Sequence, residues 1–117
     1  TYCGPCLSEM PDLGQIAEEY KDKGLQIVGI VSDVVEGGNV DAEQRELAKK
    51  VVAETKANYV HILPIDEVLQ GLMSQIIAVP TTLFLDAQGN QVGEIVFGSK
   101  TKTEWLQIID EHLATIK

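Results

Sequence analysis

Apolar residues recur at helical spacing in four segments of the chain. Residues 5–23 carry one stripe at i, i+3, i+4 and i+7, made by Leu13, Ile16, Ala17 and Tyr20. Residues 41–57 carry a second stripe, and a short third helix is predicted to begin at Asp66 and Glu67. The capping box 101–104 opens the last helix, which carries Trp105, Ile108, Ile109, Leu113 and Ile116 on one face. Gly24 marks the end of the first helix.

Extended segments lie between these helices. Residues 25–31 form a nearly continuous apolar run rich in β-branched side chains, which is typical of a strand buried on both faces. Residues 82–85 and 91–97 flank a turn at 86–90, so they are predicted to form an antiparallel hairpin. Residues 59–63 are a short segment ending at Pro64. The order helix, strand, helix, helix, hairpin, helix predicts a single α/β domain over residues 1–117.

The chemistry is concentrated at the start of the first helix. Cys3 and Cys6 are the only cysteines, and Gly4 and Pro5 separate them. This spacing brings both sulfurs within disulfide reach if Cys3 ends a loop and Cys6 lies in the first helical turn. Pro5 suits a first turn, where its missing N–H has no intrahelical partner. The helix N-terminus stabilises a thiolate at Cys3, and a thiolate is the species that attacks disulfides. The pair therefore predicts a redox site.

Two structural interpretations of the cysteines are weaker. A zinc site needs four ligands, usually with a second Cys or His pair at short spacing, but His61 and His112 are 51 residues apart. Two inert core cysteines would not need Gly-Pro between them at a helix start. His61 and His112 are both expected to be packed residues, since nothing in the sequence gives them a functional partner.

Composition and charge exclude some functions. The 117 residues are 44% apolar, enough for one core, and no run of about 18 apolar residues could span a bilayer. The net charge is −9, and no Lys/Arg cluster could follow a phosphate backbone. We therefore expect no nucleic-acid partner. The cysteine count alone does not distinguish one compartment from another.

The motifs resemble those of a known family. Cys3-Gly-Pro-Cys6 is the thioredoxin active-site motif, and its continuation to Glu9-Met10-Pro11 resembles the extracytoplasmic reductases of the TlpA/ResA type. The resemblance continues through Val79-Pro80-Thr81-Thr82 and the hairpin that follows. It implies a thioredoxin-like fold, in which helices flank a central mixed sheet.

The resemblance also implies roles for individual residues. Cys3 would be the nucleophile and Cys6 the resolving thiol, while Glu9, one turn beyond Cys6, would assist proton movement. The alternative for Glu9 is a solvated helix residue. The Val79–Pro80 bond would be cis and face Cys3, so that Gly4, Pro5, Val79 and Pro80 meet the substrate.

These roles together predict a thiol–disulfide oxidoreductase that reduces protein disulfides outside the cytoplasm. Its redox group would be the Cys3–Cys6 disulfide, with no other cofactor and no metal, and an upstream thiol donor would supply electrons. One alternative is a binding module of the same fold without turnover. The other is a thiol peroxidase, which would need a Thr three residues before its cysteine and a nearby Arg. Thr1 lies two residues before Cys3, and Arg45 is the sole Arg.

One strand of the resembled fold is missing from the sequence. It should precede the cysteine helix, yet only Thr1 and Tyr2 precede Cys3. In the complete fold this strand pairs with residues 25–31 on one side and 82–85 on the other. Three arrangements are open: the two strands pair directly, a neighbouring chain supplies a strand in a swapped dimer, or the protein continues upstream of Thr1. The last is the simplest expectation, and a membrane anchor would then also lie upstream.

Overall fold

The computed structural model describes residues 4–36 and 39–116, without the side chain of Glu36. It contains four α-helices and six short strands in these ranges. The elements are, in chain order, α1 (Gly4–Tyr20), a 3-10 turn (Lys21–Lys23), β1 (Val28–Ile30), β2 (Val35–Glu36), β3 (Asn39–Val40), α2 (Ala42–Thr55), β4 (Val60–Ile62), α3 (Glu67–Ser74), β5 (Thr81–Thr82), β6 (Val96–Phe97) and α4 (Lys102–Ile116). None of the helices in these ranges is long and apolar enough to cross a bilayer.

The predicted helices are all present, and their ends follow local chemistry. α1 continues through Pro11, and its 3-10 extension ends at Gly24 with a φ of 87°, as the sequence predicts. The side chains of Asp41 and Asp66 accept backbone N–H bonds at the starts of α2 and α3. The capping box is also formed, because Thr101 N–H donates to Glu104 and Glu104 N–H donates to the Thr101 hydroxyl.

The strands form three separate pairs. β1 and β4 are parallel, with Gly29 opposite His61, whereas β2–β3 and β5–β6 are antiparallel. The predicted loop at 36–39 is thus part of a small hairpin, although Gly37 and Gly38 lie outside the described residues. The mixed sheet is therefore present in three pieces. β1 and β5 belong to different pairs, so the direct pairing of these two strands, one of the three open arrangements, is not what the structure has.

The core lies between α1 and α4. Ile16, Tyr20, Trp105 and Ile109 are its buried members, and the half-buried side chains packed on them include Ile27 of the segment before β1. The Tyr20 hydroxyl donates to Asp110 Oδ1 at 2.7 Å, which adds a hydrogen bond between α1 and α4 to the apolar packing. This packing fixes α1 against α4.

The two faces of the β1–β4 pair have different surroundings. Side chains alternate along a strand, so Gly29 and His61 share the face on which Ile27 packs in the core. Their neighbours Val28 and Val60 point to the other face, where they are 46% and 53% exposed. The strand run predicted to be buried on both faces is therefore buried on one.

Candidate active site

Cys6 lies where the sequence places it, in the first turn of α1. The helix begins at Gly4, and Cys6 is half-buried there. Cys6 is a disulfide-bonded cysteine in the structure. Cys3, its predicted partner, and Tyr2 lie outside the described residues, so the pairing and the role of Cys3 remain predictions.

Gly4 and Pro5 are exposed at the tip of α1. Space around Gly4 is open, and the Ser8 hydroxyl donates to the Pro5 carbonyl oxygen at 2.7 Å. The tip is therefore accessible, and the contact of Gly4 and Pro5 with substrate stays a prediction.

Glu9 is the buried charged residue of the site. It lies one turn after Cys6 and is only 4% exposed. Its Oε2 accepts two hydrogen bonds, each 3.1 Å long, from the Lys100 backbone N–H and from Trp105 Nε1. The solvated-helix alternative for Glu9 is therefore wrong. Burial raises the pKa of Glu9 above its ordinary value, and the bonds from Lys100 and Trp105 and the charge of Lys100 oppose that rise in part.

Tyr59 and His61 form a stacked pair of rings at β4. Tyr59 and His61 have ring centroids 4.5 Å apart, and His61 Nδ1 lies 2.8 Å from the Tyr59 carbonyl oxygen. A Cβ at Gly29 would lie 2.7 Å from His61 Cδ2, so only glycine leaves room for the ring. His61 is a packed residue, as expected. Its Nε2 is buried and has no hydrogen-bond partner among residues 4–36 and 39–116, and burial lowers the pKa of the imidazole.

Tyr59 is coupled electrostatically to Glu9. Burial first, and then the Glu9 charge, raise the pKa of Tyr59 to about 12. The sequence analysis missed Tyr59, Lys100 and Trp105 as parts of the site. Nothing local could have revealed them, because the partners of Glu9 lie 91 and 96 residues away along the chain.

The peptide bond between Val79 and Pro80 is cis, as the resemblance implies. Val79 is 53% exposed, and the Pro80 carbonyl oxygen accepts a bond from Gly98 N–H at 2.9 Å. Lys100, two residues after Gly98, holds Glu9. The segment 98–100 therefore joins the proline loop to α1, and it brings two of the predicted site motifs into one hydrogen-bonded structure.

Solved structures with the same arrangement establish the fold. A Chlorobium tepidum protein assigned as a thiol:disulfide interchange protein DsbE superposes with a TM-score of 0.72 and 24% identity, over 96% of this chain and 73% of its own. A secreted Mycobacterium tuberculosis disulfide oxidoreductase homologous to DsbE superposes with a TM-score of 0.67 and 18% identity, over 97% of this chain and 74% of its own. The fold is thioredoxin-like.

Sequence relatives of this thioredoxin-like chain confirm the predicted resemblance. The thiol-disulfide oxidoreductase ResA of Geobacillus kaustophilus is 29% identical over 118 residues, covering 100% of this chain. The thioredoxin-like protein YneN of Bacillus subtilis is 31% identical over 112 residues, covering 94%. In both cases the chain spans 59% of the relative's length. No protein-family model matches the chain.

Proposed function

We propose that this chain is a thiol–disulfide oxidoreductase that reduces protein disulfides through Cys3 and Cys6, outside the cytoplasm. The observation that carries the proposal is the buried Glu9, held one turn from Cys6 by the Lys100 backbone and by Trp105. A carboxyl group with a raised pKa, one helical turn from a thiol pair, is suited to accept and return a proton. The ResA relatives support the same chemistry.

The proposed reaction proceeds in two exchanges. The Cys3 thiolate attacks one sulfur of the substrate disulfide, which breaks that bond, forms a mixed disulfide and releases the first substrate thiolate. Cys6 then loses its proton to Glu9 and attacks the Cys3 sulfur. The Cys3–Cys6 bond forms, and the second substrate sulfur leaves and takes up a proton. The substrate gains two electrons, the chain loses two, and an upstream thiol donor restores the dithiol.

The position of Cys3 at the start of α1 favours Cys3 as the attacking thiolate. The N-terminal end of α1 stabilises negative charge, so it lowers the pKa of a cysteine placed beside it. Gly4 and Pro5 at the helix tip and Val79 and Pro80 in the loop would contact the substrate around the attacked disulfide.

Insulin reduction with dithiothreitol tests this function. The wild-type chain should accelerate insulin precipitation, and Cys6→Ser should trap mixed disulfides that run as a larger species on a nonreducing gel. Glu9→Gln should slow the exchange and flatten its dependence on pH, because an amide cannot take the Cys6 proton. Glu18→Gln on the exposed side of the same helix is the control and should match the wild type. Binding of insulin without acceleration would instead favour the binding module.

A further inference from the structure

Two hydrogen bonds hold Glu9 by the same carboxyl oxygen. Oε2 accepts one from the Lys100 backbone N–H and one from Trp105 Nε1, each 3.1 Å long. Because an N–H group only donates, two such groups directed at Oε2 disfavour a proton on that oxygen. When Glu9 is protonated, Oε1 therefore carries the proton, and Oε2 keeps both bonds as the carbonyl oxygen. The carboxyl group can gain and lose a proton without changing its position.

The Trp105 bond comes from a side chain that cannot reorient. Trp105 is 1% exposed and belongs to the core, with the Phe84 ring centroid 6.5 Å from its own. Its backbone N–H donates to the Thr101 carbonyl oxygen at 2.9 Å in the first turn of α4. An indole N–H is a donor only, so it cannot adapt to the charge of its partner. The packing of the ring therefore fixes the direction from which Glu9 is held.

The electrostatics of Glu9 give this bond a measurable effect. Burial raises the pKa of Glu9, and the Trp105 bond is one of the contacts that lower it by favouring the carboxylate. The Lys100 backbone bond and the Lys100 charge act in the same direction. Tyr59 also interacts with Glu9, but its pKa of about 12 keeps it neutral at lower pH. Loss of the indole N–H alone would thus strengthen proton binding at Glu9 without changing any charge.

We propose that Trp105 is a positioning residue of the exchange reaction: its N–H holds Oε2 of Glu9, so that Oε1 takes the proton of Cys6. In this step the S–H bond of Cys6 breaks and an O–H bond forms at Oε1, and the reverse step returns the proton. Trp105 acts only through Glu9 and transfers no proton itself. The inference rests on the proposed function, in which Glu9 accepts that proton. The alternative is that Glu9 merely satisfies the buried indole N–H, as a partner of any kind would.

The test replaces Trp105 by Phe, which keeps an aromatic ring and removes the N–H donor. Isotope-edited NMR of the glutamate carboxyl carbons follows Glu9, whose signal is the one missing in Glu9→Gln. In Trp105→Phe the midpoint of the Glu9 titration should move to higher pH by about one pH unit, since a hydrogen bond to a charged group favours that form about tenfold or more. An unmoved midpoint overturns the proposal.

A matched control separates this bond from the packing of the two helices. Tyr20→Phe also removes one hydrogen bond between α1 and α4, that of the Tyr20 hydroxyl to Asp110, but this bond does not involve Glu9. The Glu9 titration should stay where it is in the wild type. Equal shifts in Tyr20→Phe and Trp105→Phe would mean that any loosening between the helices moves the titration, and would overturn the proposal.

A second replacement of Trp105 keeps the core filled. Benzothienylalanine introduced by amber suppression retains the fused rings and has sulfur in place of the N–H group. It should move the Glu9 titration in the same direction as Phe does, and it serves as the test by itself if Trp105→Phe does not fold. A shift with Phe and none with the sulfur analogue would assign the effect to the cavity and overturn the proposal.

Insulin reduction is measured over the same pH range. Its pH profile should shift upward in Trp105→Phe, whereas Trp105→Phe added to Glu9→Gln should cause no further shift. A moved Glu9 titration with an unmoved reduction profile would place Trp105 outside the reaction and overturn the proposal. Absence of insulin reduction by the wild type would overturn the proposed function, while the NMR titration would still report the effect of Trp105 on Glu9. Reduction with an unmoved titration would overturn the role of Trp105 alone.

Discussion

The two sides of the molecule differ in how completely they bury apolar surface. Between α1 and α4, Ile16 and Trp105 are 0% and 1% exposed, and the buried charged residue Glu9 accepts two hydrogen bonds. On the side of β1, β4 and α3, Val28, Val60, Val68 and Ile77 are all between 46% and 87% exposed. The same short chain thus has one closed side and one open side.

This difference separates two tasks. The closed side fixes Glu9 relative to Cys6, since a proton acceptor must keep its position through each exchange. The open side leaves apolar side chains such as Ile77 and Val79 exposed at and next to the proline loop. Stability should therefore respond strongly to changes on the closed side and weakly to changes on the open side.

The largest expected effect is that of Trp105→Ala. The change would leave a cavity between α1 and α4 and remove a hydrogen bond to Glu9, so it should lower the free energy of unfolding by about 3–5 kcal/mol. That is a large part of the usual total of about 5–15 kcal/mol. Urea unfolding monitored by circular dichroism measures it. A loss below about 1 kcal/mol would contradict the closed core.

Gly29→Ala should cost about 1–3 kcal/mol, because its Cβ would meet the His61 ring at 2.7 Å on the core face of β1. Gly71→Ala is the control: a Cβ there meets nothing within 4 Å, and Ala is the better residue inside α3. The control should be neutral or stabilising in the same urea experiment. Equal effects of the two changes would mean that the close contact at His61 is not limiting.

Glu9→Gln should change how stability depends on pH. The folded pKa of Glu9 is raised, so its contribution is fully present below the ordinary value of 4.5 and is lost as pH rises through the folded pKa. A Gln oxygen can accept both bonds that Glu9 Oε2 accepts, but it does not titrate. The variant should therefore gain stability relative to the wild type across that range. Parallel urea curves at all pH values would contradict the raised pKa.

The smallest expected effect is that of Val68→Ser on the open side. Val68 is 82% exposed, so the free energy of unfolding should change by less than about 0.5 kcal/mol. Thermal unfolding by circular dichroism measures this. A loss of 2 kcal/mol or more would show that another part of the protein covers Val68, and the contrast between the two sides would then fail.

Much of the fold and part of the site could be predicted from residues that lie close together in the sequence. The capping box at Thr101, the stop at Gly24 and the redox motif each involve residues close together in sequence, so their chemistry can be recognised directly. The burial of Glu9 could not be recognised in this way, because its partners Lys100 and Trp105 lie 91 and 96 residues along the chain. The exposure of Val28 and Ile77 was likewise hidden, since an apolar pattern indicates that a residue tends to be covered but not which element covers it. The roles of Cys3 and of the substrate contacts remain predictions.

The indole of Trp105 gives the protein an internal optical sensor. Trp105 is the only tryptophan of the chain, and its Nε1 donates to the carboxyl oxygen of Glu9. Its emission therefore comes from one known place, beside the carboxyl group that lies one turn after Cys6. Gain or loss of the Glu9 proton changes the charge next to the indole and should change its fluorescence. Proton movement at Glu9 can therefore be followed in real time without an attached dye.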